Sequence, residues 1–352
     1  MQVFNVEFFD TDFNPICNFL ASEFKHSMDY LTLSTNELKI HKADDVNIGN
    51  YIRITSEEDE FVGIVSAIES LDDDMKNIKY NSFMSLFDAK ILFDTNDQGK
   101  GSVELEIVKI IREYFIKNED SEQNIFGMDV IATTSTLEWG FNLKSDVQDM
   151  HRCVINFYKS IIVRAFEKYG VVVSFKIDVQ NKRINVSVGK NKSLPVIIEA
   201  DMSNVIRKNI VIKKNENSTN KLIVYNETDF IQKITYYAHP GGNYDQSNME
   251  RMFPVVCDIK HAKAEGNSTF ADAAKKIASD VFSVVKHNNL IELWVLNDDN
   301  LIGVKNLEIG QECRIMSNGV EYLSVLSGKE RSDTTRLIFG TVRLDLTKKL
   351  RR

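Results

Sequence analysis

Cysteine is scarce and scattered in this sequence. Cys17, Cys153, Cys257 and Cys313 are its four copies, and no CxxC spacing links them. Neither a disulfide framework nor a zinc site is expected, and buried free thiols are the simpler reading. Basic charge is also short, since 43 Lys and Arg against 51 Asp and Glu leave a formal charge of −8. Gripping nucleic acid takes a basic face that displaces counterions from phosphates, so DNA is expected to pass this chain without specific binding. No hydrophobic run nears the roughly 18–20 residues of a membrane span. The opening residues, MQVFNVEFFD, lack the basic-then-apolar plan of a secretion signal, and synthesis in the cytoplasm is expected.

The common motifs of catalysis are missing as well. The six histidines, His26, His41, His151, His239, His261 and His287, form neither HExxH nor a close pair, and there is no GxSxG. His151 and Cys153 stand two apart on a predicted helix, a spacing that points side chains away from each other. The stretch DTNDQGKGS, Asp94 to Ser102, lacks the GxxxxGK[ST] order that wraps phosphates and reads as a linker. No catalytic, cofactor-binding or metal residue is assigned, and no enzyme activity is expected.

What is present is ample material for several cores. At 352 residues the chain exceeds the length at which a single core stops growing, about 250–300 residues. Up to about Asp94, short runs of Ile, Val, Phe, Tyr and Thr broken by Asn, Asp, Gly and Ser read as strands. Val103, Ile107, Ile110, Ile111 and Phe115 then recur at helical spacing behind Ser102, a candidate N-cap. A longer helix is expected from about Ser145 to Gly170, followed by a hairpin from VVVSFKID and KRINVSVG. A capped, Ala-rich helix is expected from Ser268 to His287, and β-structure resumes after it.

One element occurs twice. IGNYIRI (Ile48 to Ile54) and IGQECRI (Ile309 to Ile315) align Gly49 with Gly310 and Arg53 with Arg314, and Phe61 and Tyr322 each follow thirteen positions after the leading Ile. Each copy reads as a glycine turn, a strand, a polar hairpin loop and two further strands; glycine suits the turn because it tolerates positive φ. The loop YYAHPGGNYDQ gathers Tyr236, Tyr237, His239, Tyr244 and Asp245 on a Pro-Gly-Gly turn, a composition able to contact a sugar or a partner protein. The acidic runs SEEDE and LDDDMK read as solvated loops, or as lumen-facing loops whose charge repels passing DNA.

Three passages carry a resemblance. They are NIGNYIRI…EFVGIVSAIES…NIKYNSFMSLFD, LEIGQECRIMSNGVEYLSVLS…RLIFGTVRLDLTKKL and, between them, KITYYAHPGG followed by MFPVV. In these the chain resembles the tail hub proteins of phage baseplates, including the N-terminal part of the tail-associated proteins of long-tailed phages. The resemblance implies an α+β, mainly β fold, with two related small β-barrels in one chain, an inserted α/β domain and a further helical insertion. Its expected parts are a first tube-forming barrel at 1–95, completed by a strand near 207–225, and an outer α/β domain at 96–206. The second barrel is expected from 226–260 and 290–345, the helical insertion at 261–289 and a basic tail at 346–352.

The resemblance further implies a homotrimer in the virion tail, made in the host cytoplasm. A tail-tube or distal tail protein is expected above it, and a spike, fibre or receptor-binding protein below. Because the chain stops at Arg352, just past the second barrel, no lytic activity is carried over. Two rival readings are a tail-associated cell-wall peptidase or hydrolase using the α/β segment, and a carbohydrate-binding receptor protein using the Tyr236 to Asp245 loop.

Overall fold

The computed structural model describes residues 4–21, 26–41, 45–55, 60–71, 75–94, 101–135, 152–212, 219–239, 244–249, 255–264, 268–283, 287, 289–297, 302–303 and 306–343. The fold is α+β and mainly β, the class expected. Its first stretch supplies β1 (Phe4–Phe9), β2 (Pro15–Ala21), β3 (His26–Asp29), β4 (Thr35–His41), β5 (Tyr51–Thr55), β6 (Glu60–Ser70) and β7 (Met75–Ser82). Six of these form one sheet in the order β2-β1-β5-β6-β7-β4. The alternation in TNELKIH shows why: β4 turns Asn36, Leu38 and Ile40 inward and its charged residues outward. Val6, Phe8, Leu38, Ile40, Ile52, Ile54, Val65, Ile78 and Tyr80 share the core, each large apolar side chain contributing about 1.5–3 kcal/mol.

The α/β part follows as β8 (Lys90–Asp94), α1 (Val103–Ile111), β9 (Met128–Ala132), β10 (Arg152–Asn156), α2 (Val163–Tyr169), β11 (Val171–Asp178) and β12 (Arg183–Lys190). Helix α1 starts as expected, Leu105 N–H donating to Ser102 Oγ at 3.3 Å, and the predicted stripe from Val103 to Phe115 is buried. Strands β11 and β12 form the expected hairpin, which β9 extends in parallel. The long helix begins later than expected: 152–156 is strand, with Cys153, Val154 and Ile155 opposite Phe93, Leu92 and Ile91 of β8. An apolar run this short fits either period, and pairing with β8 decides for strand; residues 145–151 lie outside the described residues. Phe9, Tyr51 and Val62 from the back of the first sheet join the core of this part.

The remaining elements are β13 (Ile197–Glu199), β14 (Val205–Ile212), β15 (Lys221–Asn226), β16 (Lys233–Ala238), β17 (Tyr244–Asp245), β18 (Cys257–Ala262), α3 (Phe270–Ser283), β19 (Asn289–Leu296), β20 (Glu312–Ser317), β21 (Val320–Arg331) and β22 (Thr334–Phe339). A second large sheet runs β13-β20-β21-β22-β19-β14, with β3 paired onto β21. Strand β14, from the stretch expected to complete the first barrel, therefore pairs with β19 of the second sheet. Strands β16, β17 and β18, from the stretch expected in the second barrel, instead join β15, from the stretch expected to complete the first, in a four-stranded sheet, β17-β16-β15-β18. The cause is a local alternation: Leu222, Val224, Tyr236 and Ala238 pack on Ala274, Ala278 and Phe282 of α3, whose alanines let helix and sheet approach closely. Thr269 and Asp272 cap α3 reciprocally, each backbone N–H donating to the other's side-chain oxygen at 3.0 and 3.2 Å.

The thiols divide. Cys313 is buried and its pKa is pushed up to about 12 by desolvation and then by Glu312, while Cys17 and Cys153 are half-buried. Cys257, expected inside, is exposed. The tips of the acidic runs, 56–59 and 72–74, and the basic tail 346–352 lie outside the described residues.

Candidate functional site

The duplicated element is built from backbone geometry first. Gly49 and Gly310 have φ of +91° and +84°, the left-handed region that an L side chain enters only under strain. Gly49 N–H donates to Val65 O at 2.9 Å and Val65 N–H returns a bond to Asn50 O at 2.8 Å. Gly310 N–H donates to Leu326 O at 2.7 Å and Leu326 N–H returns one to Gln311 O at 2.9 Å. Every partner in the second set stands 261 positions after its counterpart in the first.

The register holds across the strands. Ile54 pairs with Phe61 as Ile315 pairs with Tyr322. Both long strands shift register at the same place, between Val65 and Ala67 and between Leu326 and Gly328, so Ser66 and Ser327 are equivalent bulge residues. In the third strands Ile78 and Tyr80 correspond to Leu337 and Phe339, and in the fourth Leu38 and Ile40 correspond to Leu293 and Val295. All eight of these side chains are in the cores of their own sheets. Arg53 meets Glu60 at 2.8 Å and Arg314 meets Glu321 at 3.8 Å, the same cross-strand ion pair in each copy. The copies differ in the neighbour of the turn strand: β1 lies antiparallel to β5, β13 parallel to β20.

Their surroundings differ too. A Cβ on Gly49 would meet no atom within 4 Å, whereas one on Gly310 would lie 2.5 Å from Val172 Cγ1. Phe61 is buried, its ring 4.1 Å from His26 and 5.6 Å from Tyr80; Tyr322 is half-buried against the second core. Burial, and then the nearby Arg331 charge, lowers the His26 pKa to about 3, so the imidazole is neutral at physiological pH.

The elements are tied together by residues that sequence reasoning passed over. Tyr30 N–H donates to Ser327 O at 2.9 Å, its hydroxyl accepts from Val173 N–H at 2.8 Å, and its carbonyl accepts from the Tyr158 hydroxyl at 2.9 Å. Desolvation raises the pKa of both tyrosines, which stay neutral donors and acceptors. Arg343 binds both carboxylate oxygens of Asp29 at 2.8 Å and Ser327 Oγ at 2.9 Å. No local sequence signal marks these partners, because each pair is joined only by the fold.

The five residues of the predicted contact loop fall on two faces of one sheet. Tyr236 and Tyr244 face α3, with Tyr244 5.2 Å from Phe282 and 6.0 Å from Tyr236. Tyr237 and Asp245, paired across β16 and β17, lie on the opposite face. There His239 Nε2 and Asp245 Oδ1 are 2.8 Å apart, a contact that lowers the Asp245 pKa. Residues 240–243 lie outside the described residues. Among the described residues, no group of three or more His, Cys, Asp or Glu could hold a metal ion.

No protein-family model and no curated protein matches the chain by sequence. Solved structures do match. A 43 kDa tail protein of prophage MuSo2 from Shewanella oneidensis is 14% identical with a TM-score of 0.56, the match covering 97% of this chain and 98% of that one. A tail protein from Neisseria meningitidis is 11% identical with a TM-score of 0.54 over 96% of each chain. Prophage tail protein gp18 from Listeria monocytogenes is 11% identical with a TM-score of 0.54 over 99% of this chain and 97% of that one. Over almost its entire length, the chain therefore has the fold of these tail proteins.

Proposed function

We propose that the chain is a structural virion protein, a baseplate or tail-tip hub that joins the tail tube to a spike, fibre or receptor-binding assembly. Three copies form a ring. Because each chain brings two sheets of one register, threefold symmetry yields six near-equivalent units, suited to a sixfold tube or distal tail protein above. The role is architectural rather than enzymatic, and DNA passes through without specific binding. The carrying observation is the shared register, in which turn, hairpin, bulge and ion pair recur at one constant offset. The fold shared with prophage tail proteins supports the same reading.

Light scattering with negative-stain averaging tests it. A particle of three chains with sixfold-looking density is expected. A monomer, both when purified alone and when extracted from assembled tails, would overturn the reading. Release of wall fragments from host cell wall by the purified chain would favour the hydrolase rival, since a hub alone releases nothing.

A further inference from the structure

Among the described residues, α3 packs on one face of the four-stranded sheet and no element packs on the other. Register fixes what the other face carries: Tyr237, Lys221 and Cys257 in one row, Thr235, Ile223 and Ile259 in the next, then Lys233, Tyr225 and His261. Lys221 stands 5.9 Å over the Tyr237 ring and Lys233 6.0 Å over the Tyr225 ring. At one end the exposed Phe230 lies 6.0 Å from His261. Ile259 is 54% exposed, and none of these side chains belongs to a core cluster of the described residues.

This face is locally basic and apolar on a chain whose formal charge is −8. On its strands Lys221 and Lys233 outnumber Asp245, which is hydrogen-bonded to His239; Asp258 turns to the other face and pairs with Lys260, and the exposed Glu227 and Asp229 are confined to the loop at the Phe230 end. A sugar platform would need open ring faces, and here the ammonium groups of Lys221 and Lys233 lie over them. The charge fits an acidic protein surface instead. Three strands of about five residues span roughly 15 by 17 Å, far less than the ~800 Å² per partner of a stable interface. The occupant must therefore be held close by other contacts, as a neighbouring copy in a ring is. We infer that the open face of the β17-β16-β15-β18 sheet docks an acidic surface of a second copy of this chain, an inference that rests on the ring proposed above.

Cys257, exposed within the face, provides a reporter. The full-length chain, labelled there with a maleimide photo-crosslinker and irradiated as the assembled oligomer, should yield a covalent dimer whose crosslinked peptide is acidic; Cys257→Ser should lose it. Lys221→Glu combined with Lys233→Glu should raise the oligomer's dissociation constant about tenfold and flatten its salt dependence. Crosslinks confined to the labelled chain, or made to a different tail protein, would overturn the inference. So would an unchanged dissociation constant in the double variant, and that result would leave the hub reading standing. A wild-type chain that never oligomerises, even within tails, removes the hub reading and this contact with it. Loss of the contact to a soluble sugar, with the oligomer intact, would assign the face to carbohydrate and likewise overturn it.

Discussion

Arg343 grips Asp29 through two hydrogen bonds of 2.8 Å, although the two residues are 314 positions apart. Asp29 ends β3, the short strand that leaves the first stretch of chain to pair with β21, and Arg343 also reaches the bulge residue Ser327. The pair is largely shielded, with side-chain exposures of 22% and 11%. Arg343→Ala should lower the free energy of urea unfolding by about 2–4 kcal/mol, chiefly by leaving a half-buried carboxylate unpaired. Combined with Asp29→Ala in a double-mutant cycle, it should show a coupling of at least ~1 kcal/mol. Additivity of the two substitutions would mean that the pair is incidental.

The two equivalent glycines should respond unequally. Gly49→Ala is expected to cost about 1–2 kcal/mol, the strain of a left-handed backbone alone. Gly310→Ala adds the clash with Val172 and should be clearly worse in chemical denaturation. Val172→Ala, which removes the clashing methyls, should recover part of the Gly310→Ala loss and none of the Gly49→Ala loss.

Acid should find His26. Its folded pKa of about 3 lies below the ordinary 6.5 because burial opposes the charge, so between these values the unfolded chain binds the extra proton. Stability is thus fully present above pH 6.5 and falls as the pH drops toward 3, by up to about 1.4 kcal/mol per pH unit. The difference in unfolding free energy between wild type and His26→Phe should carry this slope. A difference that is flat from pH 7 to 4 would show that His26 does not control it.

Tyr30→Phe keeps the ring beside Phe166, 4.7 Å away, and deletes only the acceptor of the Val173 N–H. The buried amide left behind should cost about 1–3 kcal/mol. Hydrogen exchange at Val173 should accelerate more than at Ile184 on the neighbouring strand.

What could be read from the sequence was what short-range periodicity records. The apolar stripe of α1, the β11-β12 hairpin and the capped α3 are each specified within about twenty residues, as is the turn at Gly49 and its echo at Gly310. Pairings between distant segments were not legible. Nothing in HSMD distinguishes a strand for the first sheet from one for the second, and β14 is a strand by composition whichever partner it takes. The Tyr236 loop shows the same limit at a finer scale: its aromatic content was visible, but the assignment of Tyr244 to α3 and Tyr237 to the open face needed the register of β16 and β17. The ties through Tyr30, Asp29 and Arg343 left no signal because their partners meet only in the finished fold.

The loan of β3 to the far sheet sets a timetable for biosynthesis. Residues 26–29 emerge early, yet their partners on β21 are residues 328–331, and a ribosome adding about 5–20 residues per second needs roughly 15–60 s to deliver them. During that interval β3 lacks the one strand it pairs with among the described residues, so the ladder that ties the first stretch of chain to the second sheet closes only after the whole intervening segment has been made. Closure of this contact thus waits on synthesis rather than on local folding, and protease sensitivity around His26 in ribosome-stalled chains should persist until the β21 segment has left the exit tunnel.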